Sequence, residues 1–248
     1  MAKIRLFIDH PLAEGQPVPL EAGQAHYLSG VMRQRAGDRL SVFNGRDGEW
    51  SAEIVDLGRR GGTVLPLAQT GAQRDPPDLW LLFAPIKKAR TDFIVEKAAE
   101  MGAARILPVQ TDFTNAERVR QDRLQAHAVE AAEQCGGTFV PEVAELVPLS
   151  RLLEGWDGGR RILWADEARA GPAETLAGLP RGPWAILIGP EGGFSPAERS
   201  RLGGTPAVVP ISLGPRILRA DTAAVAAMAL WQAACGDWGA AATSVQTR

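Results

Sequence analysis

Ala185-Ile186-Leu187-Ile188-Gly189-Pro190-Glu191-Gly192-Gly193-Phe194-Ser195-Pro196-Ala197-Glu198 runs from an apolar segment through a glycine-rich turn into a helix start. An unbroken apolar run of this length reads as a strand covered on both faces, the habit of parallel sheets. Ser195 and Glu198 form a capping box, with Pro196 at the first helical position. The box accounts for Ser195 and Glu198 as local structure but leaves Gly189, Gly192 and Gly193 unexplained. Glycines let the main chain approach a ligand closely and take positive φ. A turn between strand and helix lies at the carboxyl edge of a sheet, where open α/β folds bind ligands.

Outward from this stretch, the same alternation repeats. Residues 79–84, 105–109, 139–143, 161–164 and 207–211 read as further strands. Residues 115–134, 149–153, 173–177, 196–202 and 222–235 read as helices. Thr91 is expected to open another helix, carrying Phe93, Ile94, Ala98 and Met101 and stopped by Gly102. Strands alternating with helices predict a mostly parallel sheet with helices on both faces. Residues 1–70 differ. Residues 3–9, 39–43 and 63–67 read as short strands, residues 21–33 as one helix, and Asn44-Gly45-Arg46-Asp47-Gly48 as a tight turn before the alternating Trp50, Ala52 and Ile54. Short strands around one helix predict a small barrel. Residues 70–78, with Pro76-Pro77, read as linker, so the predicted domains are 1–72 and 73–248.

Composition narrows the classes. The 248 residues are 45% apolar and 23% charged with a formal charge of −2, which excludes disorder, collagen-like repeats and disulfide scaffolds. Cys135 and Cys235 have no metal-ligand spacing, and the three histidines are scattered, so no metal site is expected. The amino terminus lacks the apolar core of a signal peptide, and the apolar stretch 222–235 is short for a bilayer, so a cytoplasmic protein without a membrane partner is expected. A slightly acidic chain has no strong global attraction for nucleic acid. Its cations, however, are 23 Arg against 4 Lys, a bias that suits phosphate forks and base stacking and that a GC-rich coding sequence produces equally. The Rossmann fingerprint, the P-loop, the zincin motif and the nucleophile elbow are all absent.

A second loop, Ser212-Leu213-Gly214-Pro215-Arg216-Ile217-Leu218-Arg219-Ala220-Asp221-Thr222, also joins strand to helix. Two arginines ahead of a helix N-terminus are electrostatically unfavourable without an anion or carboxylate nearby. Asp221 is expected as the N-cap, and an Arg219–Asp221 or Arg–Glu191 pair is the plain structural alternative.

Together, Gly189-Pro190-Glu191-Gly192-Gly193 and Leu213-Gly214-Pro215-Arg216-Ile217-Leu218-Arg219-x-Asp221-Thr222-Ala223 resemble the SPOUT methyltransferases, in detail the RsmE-type ribosomal RNA small-subunit uridine-N3 methyltransferases. Phe43-Asn44-Gly45 through Ala52-Glu53-Ile54 is similar to that family's PUA-like β-barrel. Lys97, Glu100-Met101-Gly102, Pro108, Glu133-Gln134-Cys135-Gly136 and Val140-Pro141-Glu142 match its middle. The resemblance implies an α/β fold in which a small PUA-like β-barrel, binding RNA, precedes a SPOUT domain with a trefoil knot. Sequence periodicity alone never points to a knot. It implies S-adenosyl-L-methionine as cofactor, ribosomal RNA or the assembled small subunit as partner, and a homodimer. Ala165, Leu187, Ile188, Gly189, Pro190, Gly192, Gly193, Ile211, Leu213, Gly214, Ile217 and Leu218 would hold the cofactor. Arg219 and then Arg216 would stabilise the uracil anion. Glu191 and Asp221 are the nearby carboxylates for its proton, with water as the alternative. Arg33, Arg35 and Arg46 in the barrel, and Lys87, Lys88 and Arg90 beside the first helix, would grip RNA. The chain departs from the family at Asp221, where Glu is usual, and at Thr111-Asp112-Phe113-Thr114, where an Arg is common. A ribose 2′-O or transfer-RNA SPOUT enzyme, or a non-catalytic RNA-binding protein, are the competing readings.

Overall fold

The computed structural model describes residues 4–115, 119–169, 176 and 178–238. The chain divides into two units, Met1–Asp75 with Ala132–Val140, and Pro76–Ala131 with Pro141–Arg248.

The first unit is a five-stranded sheet in the order β1-β3-β4-β5-β2. Its strands are β1 (Arg5–Phe7), β2 (Val18–Leu20), β3 (Arg39–Phe43), β4 (Glu49–Gly58) and β5 (Gly61–Gly71). Only β1 and β3 run parallel. Alternation places Leu40, Val42, Ala52, Ile54 and Val64 in one core with Leu6, Ile8 and Leu28. The short β2 was not legible, because Pro19 interrupts it, and Pro is tolerated on an edge strand. Residues 21–33 are not one α-helix. Helix α1 (Ala22–His26) passes into a π turn, Tyr27–Val31, where Met32 N–H donates to Tyr27 O at 2.9 Å. In this segment Ser29 Oγ donates to Ala25 O, a back-bond that bends helices, and the His26 ring lies against Gly30. Arg5 binds the segment 132–137 into this unit. Its guanidinium donates to the carbonyls of Ala132, Glu133 and Gly137 and stacks on Phe43, 4.7 Å from the ring centre.

The second unit holds a parallel sheet in the order β12-β10-β11-β6-β7-β8, with β9 also paired to β7. In chain order its elements are β6 (Leu79–Phe83), α2 (Lys88–Glu100), β7 (Arg105–Gln110), α3 (Gln121–Cys135), β8 (Glu142–Val143), β9 (Val147–Pro148) and α4 (Leu149–Glu154). They continue with β10 (Arg161–Ala165), β11 (Trp184–Ile188), α5 (Pro196–Gly203), β12 (Val208–Ile211) and α6 (Ala220–Ala234). Leu149 of α4 and Leu202 of α5 join Leu82, Ile162, Trp164 and Leu187 in one cluster. Helix α6 packs on α2 and β11. Gln232, the one polar break in its apolar run, donates to Met101 O at 2.6 Å and so satisfies the end of α2. Helix α2 starts at Lys88 rather than Thr91, whose hydroxyl bonds the N–H and the carbonyl of Ile86 instead. The strand expected over 139–143 shrinks to β8, since residues up to Val140 belong to the first unit. The helix expected over 115–134 begins at Gln121, with residues 116–118 outside the described residues, and the helix expected over 173–177 lies almost wholly outside them.

Asp47 Oδ2 accepts from Leu12 N–H at 2.9 Å and from the Asn44 amide at 2.6 Å, and the Leu12 N–H followed by that amide holds its carboxyl below the usual carboxylate range. A depressed carboxylate stabilises the fold above about pH 4 and loses that contribution as pH falls through its folded value. Asp47→Ala is therefore expected to cost about 1–2 kcal/mol at pH 7 in urea denaturation. The difference from the parent protein should shrink as pH falls below about 4.

Candidate functional site

Parallel pairing brings the ends of β6, β7, β10, β11 and β12 to one edge, where three loops meet. Phe83 pairs with Ile188, and Ala84 N–H donates to Ile188 O at 3.0 Å, so the glycine loop leaves the sheet beside the end of β6. Gly189 has a physical reason. A Cβ there would lie 2.6 Å from the Phe194 ring, which is buried edge-on against Trp164 at 5.8 Å. Gly193 has φ +70°, donates to Pro190 O at 2.9 Å, and would put a Cβ 2.4 Å from Glu167 Oε1. Ser195 caps α5 in the expected box with Glu198. The same pair reaches sideways. Ser195 Oγ donates to Asp112 Oδ2 at 2.5 Å, and Asp112 N–H donates to Glu198 Oε1 at 2.9 Å. The loop after β7, with Phe113 set against Gly192, thus braces the glycine loop.

At the end of β10, Ala165 and Asp166 are nearly buried, and Asp166 N–H donates to Ile211 O. Arg199 of α5 holds Asp166 at 2.5 Å and Glu167 at 2.7 Å, with its guanidinium over Trp164. The loop after β12 turns at Gly214, φ +120°, whose N–H donates to Ser212 Oγ. A narrow cleft of about 50 Å³ lies between these two loops, walled by Asp166 and Glu167 on one side and Leu213, Gly214 and Leu218 on the other. A larger cavity, about 430 Å³, opens at the same edge between the starts of α2 and α3.

Arg216, Ile217 and Arg219 are exposed, Ile217 at 81%. Neither arginine forms an ion pair among the described residues. The carboxylates expected beside them belong to Arg90 instead. Its Nη1 is 3.2 Å from Glu191 Oε1 and its Nε 3.7 Å from Asp221 Oδ2. One guanidinium from α2 therefore joins the glycine loop to the first turn of α6. The N-cap of α6 is Arg219, not Asp221, which sits in the first turn. Acidic groups are favourable there, facing the positive end of the helix.

The expected cofactor residues Ala165, Leu187, Ile188, Gly189, Pro190, Gly192, Gly193, Ile211, Leu213, Gly214, Ile217 and Leu218 all lie at the ends of β10, β11 and β12 or in the loops that follow. Of the expected RNA contacts, Lys87 and Lys88 are exposed at the start of α2. Arg33 (φ +55°), Arg35 and Arg46 are exposed in the first unit, where Arg46 pairs with Asp9 at 3.1 Å. Arg90, expected to grip RNA, is instead engaged with Glu191 and Asp221. Arg199 and Phe194 are the residues that sequence reasoning missed, each acting through a partner distant in the chain. Gly189→Ala is expected to destabilise the protein by about 1–3 kcal/mol, because the Phe194 ring must move within a packed core. Adding Phe194→Leu should recover part of that loss in thermal denaturation, whereas additive losses would contradict the packing origin.

Comparison with known proteins places this geometry. Residues 73–232 match the family model described as an RNA methyltransferase domain, and residues 20–67 match that of an RNA methyltransferase PUA domain. The ribosomal RNA small subunit methyltransferase E of Rickettsia conorii is 31% identical over 91% of this chain and 93% of its own length. That of Bacillus subtilis is 27% identical over 90% and 94%. A putative methyltransferase of Legionella pneumophila, solved with its bound cofactor SAM, superposes with a TM-score of 0.87 at 27% identity, covering 96% of this chain and 100% of that one. The ribosomal RNA small subunit methyltransferase E of Neisseria gonorrhoeae, bound to S-adenosylmethionine, gives 0.86 at 26% identity, covering 95% and 99%. A PUA domain followed by a SPOUT methyltransferase domain is thus the architecture, and the chain belongs to the ribosomal RNA small subunit methyltransferase E family.

Proposed function

We propose that this protein transfers the methyl group of S-adenosylmethionine to N3 of a uridine in 16S ribosomal RNA, acting on the assembled small subunit. The observation that carries the reading is the meeting of three loops, after β10, β11 and β12, at one sheet edge with two exposed arginines beside them. The cleft fits the cofactor in kind. Leu213, Leu218 and Ala223 offer aliphatic surface for a planar ring, while Asp166 and Glu167 offer carboxylates for hydroxyls and positive charge. Glu167, one of its walls, is exposed and is held by Arg199 at 2.7 Å. Ala165, Leu187, Ile188, Gly189, Pro190, Gly192, Gly193, Ile211, Leu213, Gly214, Ile217 and Leu218 are assigned to holding the cofactor. When bound, the cofactor supplies an electrophilic methyl group on a sulfonium centre.

The chain's own residues orient the uracil and carry its charge. N3 is a weakly acidic imide nitrogen, so the uracil becomes anionic as its proton leaves. Arg219, unpaired among the described residues, stabilises that anion, with Arg216 second. Glu191 orients the acceptor of the proton, either itself or a water beside it, and Arg90 fixes its carboxylate. Placement of the two reacting atoms supplies much of the remaining rate.

Further assignments accompany this reading. Residues 1–72 form the RNA-binding barrel, with Arg33, Arg35 and Arg46 as phosphate contacts, and residues 73–248 form the transferase, with Lys87 and Lys88 reaching RNA at its edge. The trefoil knot is supported by strand order. Strand β12 lies outside β10, yet the helix that follows it packs back on α2 and β11. A homodimer is supported by the small-residue surface of α6, and a cytoplasmic location by the ribosomal substrate. No helix among the described residues is long and apolar enough to cross a membrane.

Two outcomes test the proposal. Unmodified small subunits incubated with the protein and S-adenosylmethionine should yield 3-methyluridine in nucleoside mass spectrometry. Absence of that nucleoside with cofactor binding intact would overturn the substrate, and absence of both would overturn the function. Arg219→Ala should lower turnover by about 10²-fold or more while calorimetry finds cofactor affinity little changed. Near-normal turnover would remove Arg219 from the mechanism.

A further inference from the structure

The cavity of about 430 Å³ between the starts of α2 and α3 shares no lining residue with the cofactor cleft. We infer that it is a second site, which holds a nucleotide of the substrate RNA other than the methylated uridine by gripping its phosphate. The inference rests on the methyltransferase reading for its substrate and adds to it where the flanking strand lies.

Position comes first. Pro85 and Ile86 line the cavity directly after β6, the strand paired to β11, so the cavity and the glycine loop lie at one edge. Arg90, less than one turn along α2 from Lys87 and Lys88, touches Glu191 in that loop. A strand of RNA that delivers a base to Arg219 passes this edge.

Chemistry comes second. Lys87, Lys88, Arg120 and Arg123 line the cavity against one carboxylate, Asp92. Arg123 is in contact with Asp92, which also faces His127 from α3 at 3.7 Å. Arg120, just ahead of α3, pairs with Asp122, an exposed residue in the first turn of that helix that an RNA phosphate can displace from it. Lys87 and Lys88 form no ion pair among the described residues. They stand at the N-terminal end of α2, where a cation is unfavourable unless an anion accompanies it. The volume lies in the range of about 300–1,000 Å³ typical of ligand pockets. Pro85 and Ile86 supply apolar surface for one face of a base, and the four cations answer a phosphodiester.

Preorganisation comes third. The turn that carries the lysines is fixed from beneath, because the buried Thr91 hydroxyl bonds both the N–H and the carbonyl of Ile86 at 3.0 Å. The folded chain keeps two adjacent lysines on a fixed turn beside a cavity, with no ion pair to either among the described residues.

The test uses the whole protein and measures binding directly, by fluorescence anisotropy on a labelled fragment of small-subunit RNA across a salt series. Lys88→Ala/Arg120→Ala is expected to weaken RNA binding at least about fivefold and to reduce the slope of log affinity against log salt by about 2. Its affinity for S-adenosylmethionine should equal that of the parent protein. Arg161→Ala, which removes a cation at the amino end of β10, should leave both unchanged. RNA affinity of the double variant within twofold of the parent would overturn the site, as would an equal loss in Arg161→Ala. If inorganic phosphate binds in the parent and is lost in the double variant while RNA affinity stays, the cavity is a site for small anions and the inference fails. Because the readout is binding, a parent protein that binds RNA through these residues yet makes no 3-methyluridine overturns the proposed reaction and leaves this site standing.

Discussion

The ring of Phe194 occupies the place where any side chain at residue 189 would begin. This single contact sets the path of the glycine loop, and much of the site follows from it. With the ring buried against Trp164, the chain turns sharply after Ile188 and presents Pro190 to Gly193 along the sheet edge. Ser195 then falls at the start of α5, where its hydroxyl and the Glu198 carboxylate serve two ends, capping the helix and holding Asp112 of the neighbouring loop. Trp164 in turn carries Arg199 on its face, and Arg199 sets the two carboxylates at the end of β10. One aromatic pair thus fixes two of the three loops that meet at this edge.

Arg90 links the third. Its two ion pairs join the glycine loop to the first turn of α6, but unequally, at 3.2 Å to Glu191 and 3.7 Å to Asp221. The shorter side chain at 221, where the family usually has Glu, is consistent with the longer gap. The pairing also separates roles that the sequence left mixed. Glu191 and Asp221 both face Arg90, and Arg216 and Arg219 stand apart with their charge exposed. A site that must stabilise a developing anion needs cations that are not already satisfied.

Strand and helix order in the second unit was legible because apolar runs, capping chemistry and glycine turns are local signals. The capping box at Ser195 is the clearest case. Over residues 21–33 the apolar spacing suits a helix of either width, so it does not separate the π turn at Tyr27–Val31 from an α-helix. The start of α2 was displaced because Thr91 looks like a cap and acts as a pin for Ile86. Within the site, the loops at the sheet edge were legible from glycines and from resemblance, whereas Arg90 was legible only as a cation for RNA and not as the partner of Glu191 and Asp221. Its partners lie about a hundred residues or more along the chain, and nothing in its neighbourhood distinguishes it from a surface arginine.

The central claim is that one sheet edge carries the cofactor in the loops after β10, β11 and β12. Hydrogen–deuterium exchange with and without S-adenosylmethionine tests it most directly. Protection concentrated in residues 165–169, 187–193 and 211–218, with little change over 85–92 and 119–124, is the predicted result. Unchanged exchange in those three loops, with protection appearing at the α2–α3 cavity instead, would contradict it.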